Sequence, residues 1–127
     1  RVSAAIAPQE ISNYLRLVVG DWSVATPVCN ALPAMFADNI WIEKTREILA
    51  QEAEIWRQIL AKYFTIIGYS SLFTLVETDD ANYWHKKLAG QGILVRKFDY
   101  NKRWLRFGLP DKKYLERLEI ALSFRMQ

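Results

Sequence analysis

Cysteine and histidine are nearly missing: Cys29 and His85 are the only examples in 127 residues. One cysteine excludes an internal disulfide, and a lone thiol fits a reducing compartment, hence a cytoplasmic location. One histidine with one cysteine leaves no Cys/His zinc set, so no metal site is expected. No apolar run approaches the ~20 residues of a membrane helix, so no membrane partner is expected. No signal peptide is visible. A strong excess of one charge is also missing. Net charge is +3, with acidic residues mixed through the basic ones. That balance, without an RNP-like run of glycine and aromatics, argues against nucleic acid as a partner. Internal repeats and low-complexity linkers are absent. The first residue is arginine rather than methionine, which reads as a processed or truncated chain.

What is present suffices for a core. The chain is about one domain long, 51% hydrophobic and 13% aromatic. A short apolar run at residues 2–6 reads as a strand ended by Pro8. Residues 9–19 carry Ile11, Leu15 and Val18 at helical spacing, with Gly20 placed to stop the helix. Residues 21–36 are small and apolar, interrupted by Pro27 and Pro33. They predict a closely packed helix, bent or broken near a proline, with Cys29 a buried small hydrophobe. Asp38 can cap a long helix over residues 39–62. Ile48, Ile55 and Ile59 form one stripe on it, with Leu49, Ala53, Trp56 and Leu60 beside that stripe. Residues 64–68 and 72–77 read as strands. Asp79 and Asp80 open a helix that exits at Gly90 and Gly92, and His85 on it reads as a surface histidine. Pro110 and Asp111 begin an amphipathic last helix. From about residue 38 the fold class is α+β: a sheet of three to four antiparallel or mixed strands with helices packed on one face.

Residues 92–110 organise the rest. Ile93 to Arg96 and Trp104 to Phe107 read as two strands joined by a turn containing Asp99, Asn101 and Lys102. Successive strand residues point to opposite faces. If Ile93, Val95, Leu105 and Phe107 face the core, then Leu94, Arg96, Trp104 and Arg106 share the other face. Two guanidinium forks would then project into one region, suited to carboxylate or phosphate. From the residues alone, an anion clamp and two solvated arginines on an edge hairpin both remain open.

Four stretches carry a resemblance: Arg1-Val2-Ser3-Ala4-Ala5-Ile6-Ala7, Gly20-Asp21-Trp22-Ser23-Val24-Ala25, Gly92-Ile93-Leu94-Val95-Arg96, and Trp104-Leu105-Arg106-Phe107-Gly108. Together they resemble the C-terminal part of fold-type I pyridoxal-phosphate enzymes, the class I/II aminotransferase family. They look most like threonine-phosphate decarboxylases of cobalamin synthesis and the neighbouring histidinol-phosphate aminotransferases. Ser3 stands where that family usually has glycine, and Asp21 where it often has proline.

The resemblance implies roles. Arg106 matches the residue that pairs with the substrate α-carboxylate, and Arg96 one that helps hold the substrate phosphate. Arg1 matches an arginine contacting the phosphate of pyridoxal 5'-phosphate, the implied cofactor. The lysine that bonds the cofactor would lie upstream of Arg1, so no catalytic residue falls in this chain. The resemblance further implies residues 1–36 as the end of the large cofactor-binding domain with a helical connector, and 37–127 as the small substrate-gripping domain. It implies a homodimer acting on a small phosphorylated amino acid, by decarboxylation or by histidinol-phosphate-type amino transfer. Two further readings are a stand-alone α+β module that stacks single-stranded RNA and a non-catalytic protein keeping only an interaction surface. Purified residues 1–127 with cofactor should show no turnover; product above blank would overturn that expectation.

Overall fold

The computed structural model describes residues 5–20 and 24–123. The chain divides into two units, Arg1–Ile42 and Glu43–Gln127.

The first unit is helical. Helix α1 (Gln9–Val19) ends at Gly20, whose φ of 74° permits its N–H to reach the Arg16 carbonyl. Helix α2 (Thr26–Ala37) starts with a proline in its first turn and continues through Pro33; the segment was expected to be bent or broken near a proline, and it is not broken. Neither helix has a buried residue, and Cys29 is exposed rather than buried. The composition of α2 reads as core, yet the described residues provide no cover for it. Of the expected strand at residues 2–6, positions 2–4 lie outside the described residues, and 5 and 6 are not in a strand. Asp38 caps α3 (Asn39–Ala61), accepting the Trp41 N–H at 3.0 Å.

The second unit is the expected α+β layer. After α3 come β1 (Thr65–Tyr69), β2 (Phe73–Glu77), α4 (Ala81–Gly90), β3 (Arg96–Phe98) and β4 (Asn101–Gly108). A 3-10 turn (Lys112–Tyr114) then leads into α5 (Leu115–Ser123). The four strands pair antiparallel throughout in the order β1-β2-β4-β3. Alternation decides the faces. Thr74, Val76, Leu105 and Phe107 are buried against Trp56 and Leu60 of α3, Leu88 of α4 and Leu118, Ala121 and Leu122 of α5. Aromatic rings join the layers: Phe107 stands 5.9 Å from Trp56 and 5.7 Å from Phe64, and Phe64 meets Trp84 edge-on at 4.9 Å. On α3 the buried residues are Trp56 and Leu60, with Leu49 and Ala53 half-buried in line with them. Ile48 and Ile55, expected to pack, are more than two-fifths exposed.

Local signals set the ends of α4. Asp80 accepts the N–H groups of Asn82 and Tyr83 at 2.8 and 3.1 Å. At the other end Gly92 has φ +71°. Its N–H reaches the Ala89 carbonyl and the Ile93 N–H reaches that of Leu88, a Schellman closure. That closure turns the chain so that Ile93 packs on the core and Leu94 faces outward, 87% exposed. The strand expected at Ile93–Arg96 begins only at Arg96. The four residues before it are spent on the helix exit.

Thermal or denaturant unfolding should rank three variants. Leu105→Ala, at a fully buried site, costs about 2–5 kcal/mol. Asp80→Ala costs about 1 kcal/mol through the lost cap. Gly92→Ala costs about 1–2 kcal/mol because φ is positive, and its Cβ would also meet an Arg117 guanidinium nitrogen at 2.9 Å. A neutral Gly92→Ala would contradict the closure.

Candidate functional site

The core occupies one face of the sheet, so the other face is where side chains can meet a ligand. On central strand β4 that outer set is Trp104 and Arg106; on β2 it is Phe73, Leu75 and Glu77. In the β3–β4 pairing, Arg96 and Arg106 are direct partners. In the β2–β4 pairing, Leu75 is opposite Arg106. The two arginines singled out from the sequence therefore stand side by side on adjacent strands, on the same face. Arg96 is exposed and Arg106 half-buried. Arg1 lies outside the described residues.

The electrostatics of this pair are unusual for the molecule. Like charges directly opposite across strands oppose pairing by about 0.2–1 kcal/mol. Some other basic side chains are in ion pairs. Arg57 meets Glu54, Lys62 meets Glu119, Arg103 meets Glu77 and Lys112 meets Glu52. Hydrogen bonds from Arg57 and Gln58 hold the Glu54 carboxyl below its usual range. Among the described residues, no carboxylate lies within ion-pair reach of Arg96 or Arg106. Their recorded contacts are aromatic: Arg106 Cζ lies 4.3 Å from the centre of the Phe73 ring, and Arg96 Cζ lies 5.5 Å from that of Phe98. Glu77, the one acidic side chain on this face of β2, is drawn to Arg103 at 3.6 Å.

A shift in register between Lys97 and Phe98 shapes the end of the hairpin. Lys97 is opposite Leu105, but Phe98 is opposite Asn101, so residues 102–104 form a bulge on β4. Asn101, expected in the turn, belongs to the strand and accepts the Arg103 N–H. The bulge gathers Phe98, Tyr100 and Trp104, with ring centres 5.3–6.4 Å apart, next to Arg96. His85 on α4 is half-buried and outside this arrangement. Sequence reasoning missed Phe73. Its parity with Leu75 and Glu77 marks it as outward-facing, but its place beside Arg106 follows only from strand register.

Chemically, two open guanidinium forks suit two anionic groups on one small molecule. The face offers donors and aromatic surface without an amine next to them. Lys97, adjacent to Arg96 in sequence, falls on the other side of the pleat and donates to Asn82 at 3.0 Å. These residues therefore fit the anions of a substrate and do not by themselves make a cradle for a cofactor ring.

Comparison with known proteins shows the fold and the family. The crystal structure of the histidinol-phosphate aminotransferase from Clostridium acetobutylicum matches with a TM-score of 0.74 at 18% identity, covering 91% of this chain and 37% of that one. The fold is thus that of fold-type I pyridoxal-phosphate enzymes. A threonine-phosphate decarboxylase from Sinorhizobium sp is 33% identical over 124 residues, covering 97% of this chain and 37% of that protein. The family model described as aminotransferase class I and II matches residues 1–122. The chain belongs to the class I and II aminotransferase family, whose enzymes depend on pyridoxal phosphate. It spans little more than a third of the length of these relatives.

The unneutralised pair makes stability sensitive to ionic strength. Screening should stabilise the protein relative to an Arg96→Gln variant by on the order of 0.5 kcal/mol between low and high salt. Parallel salt responses in chemical denaturation would mean that the two charges do not feel each other.

Proposed function

We propose that this chain is the substrate-gripping part of a pyridoxal-phosphate enzyme that decarboxylates threonine phosphate. The observation that carries the reading is the direct cross-strand opposition of Arg96 and Arg106, with no carboxylate among the described residues to neutralise them. Two fixed cations on one open sheet face cost stability unless a doubly anionic ligand uses them. The 33% identity with a threonine-phosphate decarboxylase supports the choice of ligand: its name specifies an amino acid that carries both a carboxylate and a phosphate.

In this reading Arg106 holds the α-carboxylate and Arg96 the phosphate. Arg1 contacts the cofactor phosphate. The second unit is the small domain. The first is the end of the large domain with its helical connector, and the enzyme is a cytoplasmic homodimer. Bound pyridoxal phosphate supplies an electron sink for charge developing at the substrate Cα. The chain's own contribution is orientation. Arg106 sits on the central strand β4, between two paired neighbours, so its Cα is held firmly. A bidentate grip there fixes the direction of the carboxylate, and hence which bond at Cα can react. Arg96 at the edge strand recognises the far end of the substrate and contributes specificity more than chemistry.

Steady-state kinetics on the intact enzyme separate these roles. A charge-assisted hydrogen-bonded pair is worth about 1.5–3 kcal/mol, so Arg106→Ala should lower kcat/KM about 10- to 100-fold. Arg106→Lys keeps the charge but loses the fork, and should recover only part of that. Arg96→Ala should lose about as much with threonine phosphate but little with threonine itself. Equal losses on both substrates would remove the phosphate role. Release of carbon dioxide identifies the decarboxylase. Amino transfer to a 2-oxo acid without carbon dioxide would replace it with a histidinol-phosphate-type aminotransferase.

A further inference from the structure

Resting on the reading of Arg106 as the carboxylate grip, we infer that Phe73 is a positioning residue that sets the plane of the Arg106 guanidinium before substrate arrives. Three observations converge on it. The first is register: Leu75 is opposite Arg106 and Phe73 is opposite Gly108, so Phe73 is the diagonal neighbour of Arg106 on the outer face. The second is contact. The Phe73 ring centre is 4.3 Å from Arg106 Cζ, closer than the 5.5 Å between Arg96 and Phe98. The third is what surrounds the pair. No described carboxylate reaches Arg106, and a Cβ built on Gly108, opposite Phe73, would meet nothing within 4 Å. The ring has open room on that side and an arginine on the other.

The chemistry explains why a ring serves here better than an acid. A carboxylate would restrain Arg106 by occupying the N–H donors that the substrate needs. An aromatic face restrains a guanidinium through its π surface and leaves the in-plane donors free. A long, flexible side chain held in this way loses less rotamer freedom when the ligand binds, so part of the ordering is done in advance. Phe73 itself is 42% exposed, so replacing it disturbs the core little. Its effect should reach the substrate only through Arg106.

The test is a mutant cycle on the intact holoenzyme with threonine phosphate as substrate, reading KM and kcat separately. Phe73→Leu should raise KM about three- to tenfold, the fold-change expected for losing one cation–π contact, with kcat nearly unchanged. Phe73→Tyr keeps the ring and should behave as the parent. In an Arg106→Ala background, Phe73→Leu should add nothing. The inference is overturned if Arg106→Ala raises KM while Phe73→Leu does not, if the two effects multiply, or if Phe73→Tyr fails as Leu does. An Arg106→Ala enzyme with unchanged kcat/KM would overturn the carboxylate role and this inference together. That result is distinct from failure of the Phe73 role alone.

Discussion

The pleat of β4 is the constraint on which the rest of this structure depends. Leu105 and Phe107 go into the core, and the residues between and before them, Arg106 and Trp104, must go the other way. A slip of one residue would expose both apolar side chains and bury an arginine, so the register is strongly specified. The same alternation that secures the core therefore aims the guanidinium. Core packing and the placing of Arg106 are two sides of one strand, and neither can shift without the other.

Position within the sheet then distinguishes the two arginines. β4 lies between β2 and β3, while β3 is a three-residue edge strand. A group on the central strand inherits the rigidity of two hydrogen-bonded neighbours. One on a short edge strand has more freedom and suits recognition of the distant end of a ligand. The bulge at residues 102–104 adds to this by collecting three aromatic rings beside Arg96. The ion pairs of the second unit lie at the surface, where each contributes little to stability. No described carboxylate pairs with Arg96 or Arg106.

The helical first unit follows a different logic. Its α2 is apolar in composition but has no buried residue, and α1 leaves Ile11, Leu17 and Val18 more than half exposed. Composition announces a need for burial without saying what meets it. That is why Cys29 reads as a core residue and is found exposed. The same limit applies on α3, where periodicity marks two apolar stripes and only the layer packing selects the one containing Trp56 and Leu60.

The order of elements from residue 38 onward, the caps at Asp38 and Asp80, the exit at Gly92 and the common face of Arg96 and Arg106 were legible in the residues. Each depends on interactions spanning a few positions: a side chain reaching a nearby N–H, a glycine at positive φ, or strict alternation along a strand. What the residues could not show was partnership across distance. That Arg96 stands directly opposite Arg106, that the hairpin carries a bulge, and that Phe73 lies under the Arg106 guanidinium are all facts of register. Register is set by how β4 pairs with β2 on one side and β3 on the other, an interaction among residues up to 35 positions apart (Phe73 opposite Gly108) that only the folded sheet decides.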